Sequence, residues 1–182
     1  IIIINMILDI EPENNLADLN GDGSINIQDI ILVINVILDE NLSRTQHLQD
    51  TQINLFNNKI TIEANKIAGV ELHTIGDYQI TNKSMPDGWK FFHNNQTIIM
   101  VDLEGKNIHE PIIIEYNGEM IIKDNMISDW NGHGYSALVN LLPEKSTLHS
   151  TYPNPFNPIT SINYELSKMD FVTLSIYNVA GQ

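Results

Sequence analysis

The sequence predicts a mixed, mainly β fold: a small α-helical module carrying a calcium-type loop, then an antiparallel β-sandwich, then the opening strands of a further β segment. Three observations predict it. Apolar residues recur at helical spacing through residues 1–9 and 31–39. From about Thr51 to Leu142 the apolar period becomes two, and turn clusters separate short runs. A Pro-rich stretch then precedes a last pair of alternating runs.

Composition narrows the function before any motif is read. The 182 residues hold 9 Lys+Arg against 23 Asp+Glu, a formal net charge of -14, and no cysteine. Such acidity repels nucleic acid and anionic membranes, so neither is an expected partner. Without cysteine there is no disulfide, zinc–thiolate site, iron–sulfur cluster or thiol nucleophile. The opening IIIINMIL falls short of the roughly 20 residues that span a bilayer, so no membrane insertion is expected. It also lacks the basic start and cleavage site of a signal peptide. Neither end reads as a natural terminus, and the chain is expected to be a fragment of a longer bacterial protein that is secreted or held at the cell surface.

Residues 1–44 read as helix, loop, calcium-type loop, helix. Ile1–Asp9 and Ile31–Asp39 align with Ile4/Ile34, Asn5/Asn35, Ile7/Ile37, Leu8/Leu38 and Asp9/Asp39 identical, which is an internal repeat. Runs of β-branched residues weaken helix propensity, and packing of the two helices on each other is expected to override that. Between the copies, DLNGDGSINIQD places oxygen-bearing side chains at loop positions 1, 3, 5, 9 and 12, glycine at 6 and an aliphatic residue at 8. A hard cation such as calcium takes about six to eight oxygen ligands, and a loop of this spacing wraps them around one point. The expected ligands are the side chains of Asp18, Asn20 and Asp22, the backbone carbonyl of Ser24, Asn26 directly or through water, and the closing carboxylate of Asp29. Gly23 permits the sharp turn, and Ile25 is expected to anchor the loop to the core. The same residues have another use, as an acidic Asx-rich turn that caps a helix.

With Asp rather than Glu closing the loop, and with the tandem repeat, residues 1–44 resemble a dockerin, a small EF-hand-like α module. The resemblance implies calcium-dependent folding and docking onto a cohesin-type protein domain, typically in secreted assemblies that degrade polysaccharide. Many dockerins carry a Ser/Thr pair at loop positions 10 and 11, whereas this chain has Ile27 and Gln28. A bulky apolar Ile27 suits a hydrophobic or intramolecular contact, so the β-sandwich of the same chain is the alternative partner.

The next domain, 45–143, carries strand-like runs at TQINLF, KITIEA, AGVELHTI, DYQITN, WKFFH, TIIMVDL, PIIIEY and EMIIKD. Around eight short strands over this length imply a β-sandwich. Asn117-Gly118 is the strongest hairpin signal. The run from IAGVELHTIGDYQITN to PIIIEYNGEMIIKDNMISDWNG faintly resembles cohesin-like sandwiches. Trp89 and Trp130 are either core residues or flat platforms for sugar rings, and the second use would make a polysaccharide the partner.

Residues 144–182 begin with a Pro-rich linker, and YPNPFNPITSINYEL followed by VTLSIYNVAGQ is similar to the start of the C-terminal sorting domain of type IX secretion substrates. Pro153, Pro155 and Pro158 predict a stiff, extended lead-in. INYEL and FVTLSIYNV are expected as the first strands of a truncated Ig-like domain.

No catalytic constellation emerges. The six histidines, at 47, 73, 93, 109, 133 and 149, show no helical zinc spacing, and there is no G-x-S-x-G elbow. Isolated histidines on a β surface are expected to be solvated. The sequence therefore predicts a non-enzymatic calcium-binding docking or scaffolding fragment. The alternatives are a carbohydrate-binding accessory region of a hydrolase, or a stalk or adhesin segment in which calcium rigidifies a joint.

Overall fold

The eight alternating apolar runs predicted between Thr51 and Asp124 all become strands. A computed structural model describes residues 1–38, 51–63, 67–106, 110–143, 145–167 and 171–177. The strands are β1 (Gln52–Phe56), β2 (Lys59–Glu63), β3 (Gly69–Ile75), β4 (Tyr78–Ser84), β5 (Trp89–His93), β6 (Thr97–Asp102), β7 (Pro111–Gly118) and β8 (Ile121–Ser128), followed by the short β9 (Gly134–Tyr135) and β10 (Leu138–Leu141). They form two five-stranded sheets, ordered β10-β1-β2-β7-β4 and β5-β6-β3-β8-β9. Period-two burial brings Ile53, Ile60, Ile62, Ile112 and Ile114 of the first sheet into one core with Val70, Leu72, Ile98, Met100 and Ile127 of the second. Each such side chain contributes about 1.5–3 kcal/mol when fully removed from water.

The turn residues divide into two kinds. Asn57 and Asn58 both have positive φ (45° and 56°) and close β1 onto β2, as a two-residue primed turn requires. Asn117-Gly118, expected to close a hairpin, does not. β7 already has β2 and β4 on its two sides, while β8 pairs with β3 and β9, so the chain crosses here from one sheet to the other. A positive-φ glycine signals that the chain turns. It does not say which strand the next run joins.

The helical region corrects the sequence reading. No separate EF-hand-like α module forms. α1 (Ile2–Ile7) is one short helix that ends well before Asp18, and the chain enters the loop from a single 3-10 turn at Asn15–Ala17 rather than from an α-helix. α2 (Ile27–Leu38) starts inside the loop itself. Neither helix is long enough to close a core of its own. Their apolar faces, with Ile4, Leu8, Ile27, Ile30, Ile31 and Ile34, instead share a second core with Ala68, Ile99, Val101 and Trp130 on the outer face of the β5–β9 sheet. Strand β6 is consequently buried on both faces. This part of the chain is two sheets plus a helical layer.

The chain forms two compact units, 1–140 and 141–182, and the sandwich with its helices lies in the first. In the second, β11 (Thr147–Leu148) pairs with β12 (Tyr164–Glu165), and Tyr152 bridges to Ser161. The Pro-rich stretch therefore folds back instead of running extended, held by Thr160 Oγ1 donating to the Pro153 carbonyl at 2.8 Å. Of the two expected Ig-like strands, only Tyr164–Glu165 is a strand, and residues 171–177 belong to no sheet among the described residues. Alternation decides which face a side chain takes, whereas a strand also requires a neighbour for its backbone.

Candidate metal loop and its seat on the sandwich

The loop from Asp18 to Asp29 is built by short polar side chains that accept from nearby backbone. Asp18 Oδ1 accepts from Gly21 N–H (2.8 Å) and Oδ2 from Gly23 N–H (3.0 Å). Asn20 Oδ1 accepts from Asp22 N–H (2.9 Å), and Asp22 Oδ1 from Ser24 N–H (2.8 Å). The Asn20 and Asp22 bonds are Asx turns, and with the two longer bonds to Asp18 they curl the backbone around its carboxylate. Gly21 and Gly23 have φ of 73° and 89°, so the sharp turn falls where the sequence placed it.

Asp29 ties the two arms of the loop together. Its Oδ1 accepts from Leu19 N–H (2.7 Å) and Asn20 N–H (3.4 Å), and its Oδ2 accepts from Asn26 N–H (3.0 Å). The side chain is wholly buried. Asn26 Oδ1 in turn accepts from Gln28 N–H (2.8 Å), so the Asn26 side chain caps the first turn of α2 while Asp29 holds the Asn26 amide. The capping use of these residues is thus present in the structure.

The loop is seated on the sandwich immediately after Asn26. Ile27 N–H donates to Glu71 Oε2 on β3 at 2.9 Å, and the Ile27 side chain is fully buried over Gly69. Gln28 Nε2 donates to the Gly132 carbonyl at 2.7 Å in the turn after β8. Positions 10 and 11 of the loop therefore contact the chain's own sandwich. Ile25, expected as the anchor, is only half-buried and belongs to neither core, so Ile27 takes that role.

Glu71 is the residue that sequence reasoning missed. It is buried on a central strand, and its second oxygen accepts from His73 Nε2 at 2.8 Å. The signal was present in ELHTI: residues two apart on a strand share a face. The hydrogen bond to Glu71 raises the His73 pKa above its ordinary value, burial opposes it, and the charges of Glu71, Asp124 and Asp9 add to it. His73 is therefore not an isolated surface histidine. His133 and His149 also stand beside carboxylates, Asp129 and Glu165, at 3.5 and 3.3 Å. His47 and His109 lie outside the described residues. Trp89 and Trp130 are both buried and offer no flat exposed face for a sugar.

The donor set fits a hard cation in kind. Every donor is oxygen, and each oxygen that accepts one N–H keeps a further lone pair. Among the described residues no three Asp, Glu, His or Cys side chains gather at metal-holding distance. Coordination would therefore depend on the Asn20 and Asn26 side-chain oxygens and the Ser24 carbonyl as well as on Asp18, Asp22 and Asp29. No helix among the described residues is long and apolar enough to cross a membrane.

No protein-family model matches the chain, and no curated protein matches it. A cohesin module from the Clostridium perfringens ATCC13124 family 33 glycoside hydrolase shows a weak structural similarity, with a TM-score of 0.30 and 9% sequence identity over 50% of this chain and 90% of that one. The likeness is too weak to place the chain in that family.

Proposed function

We propose that the 1–140 unit is a non-catalytic, calcium-stabilised scaffolding module of a secreted or cell-surface multidomain protein. Calcium held by Asp18, Asn20, Asp22, Ser24, Asn26 and Asp29 ties the loop to the start of α2, and α2 to the sandwich. Calcium supplies a positive centre that offsets the three loop carboxylates, and its binding free energy adds to folding free energy. The observation that carries the reading is the buried Asp29 carboxylate, which joins both arms of the loop two residues from the Ile27–Glu71 bond.

In this reading the chain's own sandwich occupies the helix face, and calcium stiffens that joint. The buried tryptophans favour this over a sugar platform. The test is a thermal melt of the full chain with calcium, with magnesium and with chelator, together with a calcium titration. A calcium-specific rise in Tm with a single site per chain supports the proposal. An unchanged Tm across the three conditions removes it.

A further inference from the structure

We propose that Glu71 and His73 form a pH-dependent latch that sets how firmly the start of α2 is held on the sandwich. One carboxylate does both tasks: Oε2 takes the Ile27 amide at 2.9 Å and Oε1 takes His73 Nε2 at 2.8 Å. Glu71 is 3% exposed, so water cannot replace a lost partner. The His73 side chain is 46% exposed and exchanges protons freely with solvent.

Charged groups line the cleft at His73 from three segments of the chain. Beside Glu71 on β3 they are Asp124 and Lys123 of β8, with Asp9 and Glu13 from the segment after α1, around a cleft of about 660 Å³. Asp124 and Asp9 favour the imidazolium. With His73 charged, the Glu71 carboxylate has a cationic donor and a backbone donor, and its burial costs little. With His73 neutral, a buried carboxylate rests on one amide and a weaker imidazole bond. Opening of the first turn of α2, which lets water reach Glu71, then becomes easier. Because the folded pKa is raised, this stabilisation is complete below the ordinary histidine value of about 6.5 and is lost as pH rises through the higher folded value.

The test is amide hydrogen exchange at Ile27 in the full chain with chelator present, from acidic to mildly alkaline pH. Rates are corrected for intrinsic exchange and referred to Ile99 in β6. Ile27 protection is expected to be about two- to fivefold greater at the acidic end, the range of a part-exposed ion pair. His73→Gln keeps a donor near Glu71 without titrating, and its protection should be flat with pH. Glu71→Gln keeps an acceptor for the Ile27 amide and should be flat as well. A wild-type ratio that does not change, or a pH slope that persists in His73→Gln, overturns the latch. Either result leaves the calcium reading to its own melt.

Discussion

Gly69 lies directly against Ile27: a Cβ added to Gly69 would stand 2.5 Å from Ile27 Cγ1 and 2.7 Å from its Cδ1. Only a glycine lets α2 come this close to the start of β3. Gly69→Ala is therefore expected to destabilise the 1–140 unit by about 1–3 kcal/mol through overpacking. Ile27→Ala is expected to cost about 2–5 kcal/mol on its own. The double variant should cost less than the sum, because the second change removes the clash. Denaturant unfolding of the four proteins measures the coupling, and strict additivity would mean the two residues do not press on each other.

Trp130 belongs to the helix-side core and Trp89 to the core between the sheets. The two therefore report on different layers. In wild type both should emit at short wavelength and resist iodide quenching. In Trp89→Phe, the remaining Trp130 signal should shift on loosening of the helical layer before global unfolding. In Trp130→Phe, the Trp89 signal should change only with global unfolding. Fluorescence followed through a denaturant titration checks this, and coincident transitions for both probes would show that the layers unfold together.

How much of this was readable in the sequence depends on which interactions are local. Strands such as β1, β2 and β7 could be placed because a half-buried strand writes its burial pattern into its own residues, as in Ile60 and Ile62, and β6, buried on both faces, because it is a short continuous apolar run. The loop from Asp18 to Asp29 could be placed because its turns are made by neighbours two to five residues apart. The partner of α2 was open, since Ile27 states that the position is apolar but not what covers it. Glu71 was overlooked for the same reason, because its bond to Ile27 spans 44 residues. The Asn117-Gly118 crossing failed as a hairpin because sheet membership is decided by β2 and β4, which lie far from it in sequence.

Gly118 gives that crossing its own test. Its φ is 95°, and an added Cβ would run into the backbone carbonyl of Asp77. Gly118→Ala should destabilise by more than about 1 kcal/mol, since both the conformation and the space are wrong for a side chain. Gly105 also has positive φ, at 68°, but a Cβ there would meet nothing closer than 3.7 Å. Gly105→Ala should therefore cost less. Equal losses in thermal melts of the two variants would mean that φ alone matters and the close approach to Asp77 does not.

Asp18 and Asp29 separate the metal role from the capping role. The Asp18 carboxylate accepts from Gly21 and Gly23 in an exposed turn, so water can take over those bonds after Asp18→Ala. Melted with chelator, this variant should stay close to wild type, and its Tm should no longer rise with calcium. Asp29→Ala strands the buried Asn26 amide and frees the part-buried Leu19 amide. Each unsatisfied buried donor costs about 1–3 kcal/mol, so this variant should melt well below wild type even with chelator. If Asp18→Ala kept the full calcium response, calcium would be acting elsewhere on this acidic chain. If Asp29→Ala melted like wild type in chelator, the carboxylate would not be what joins the arms of the loop.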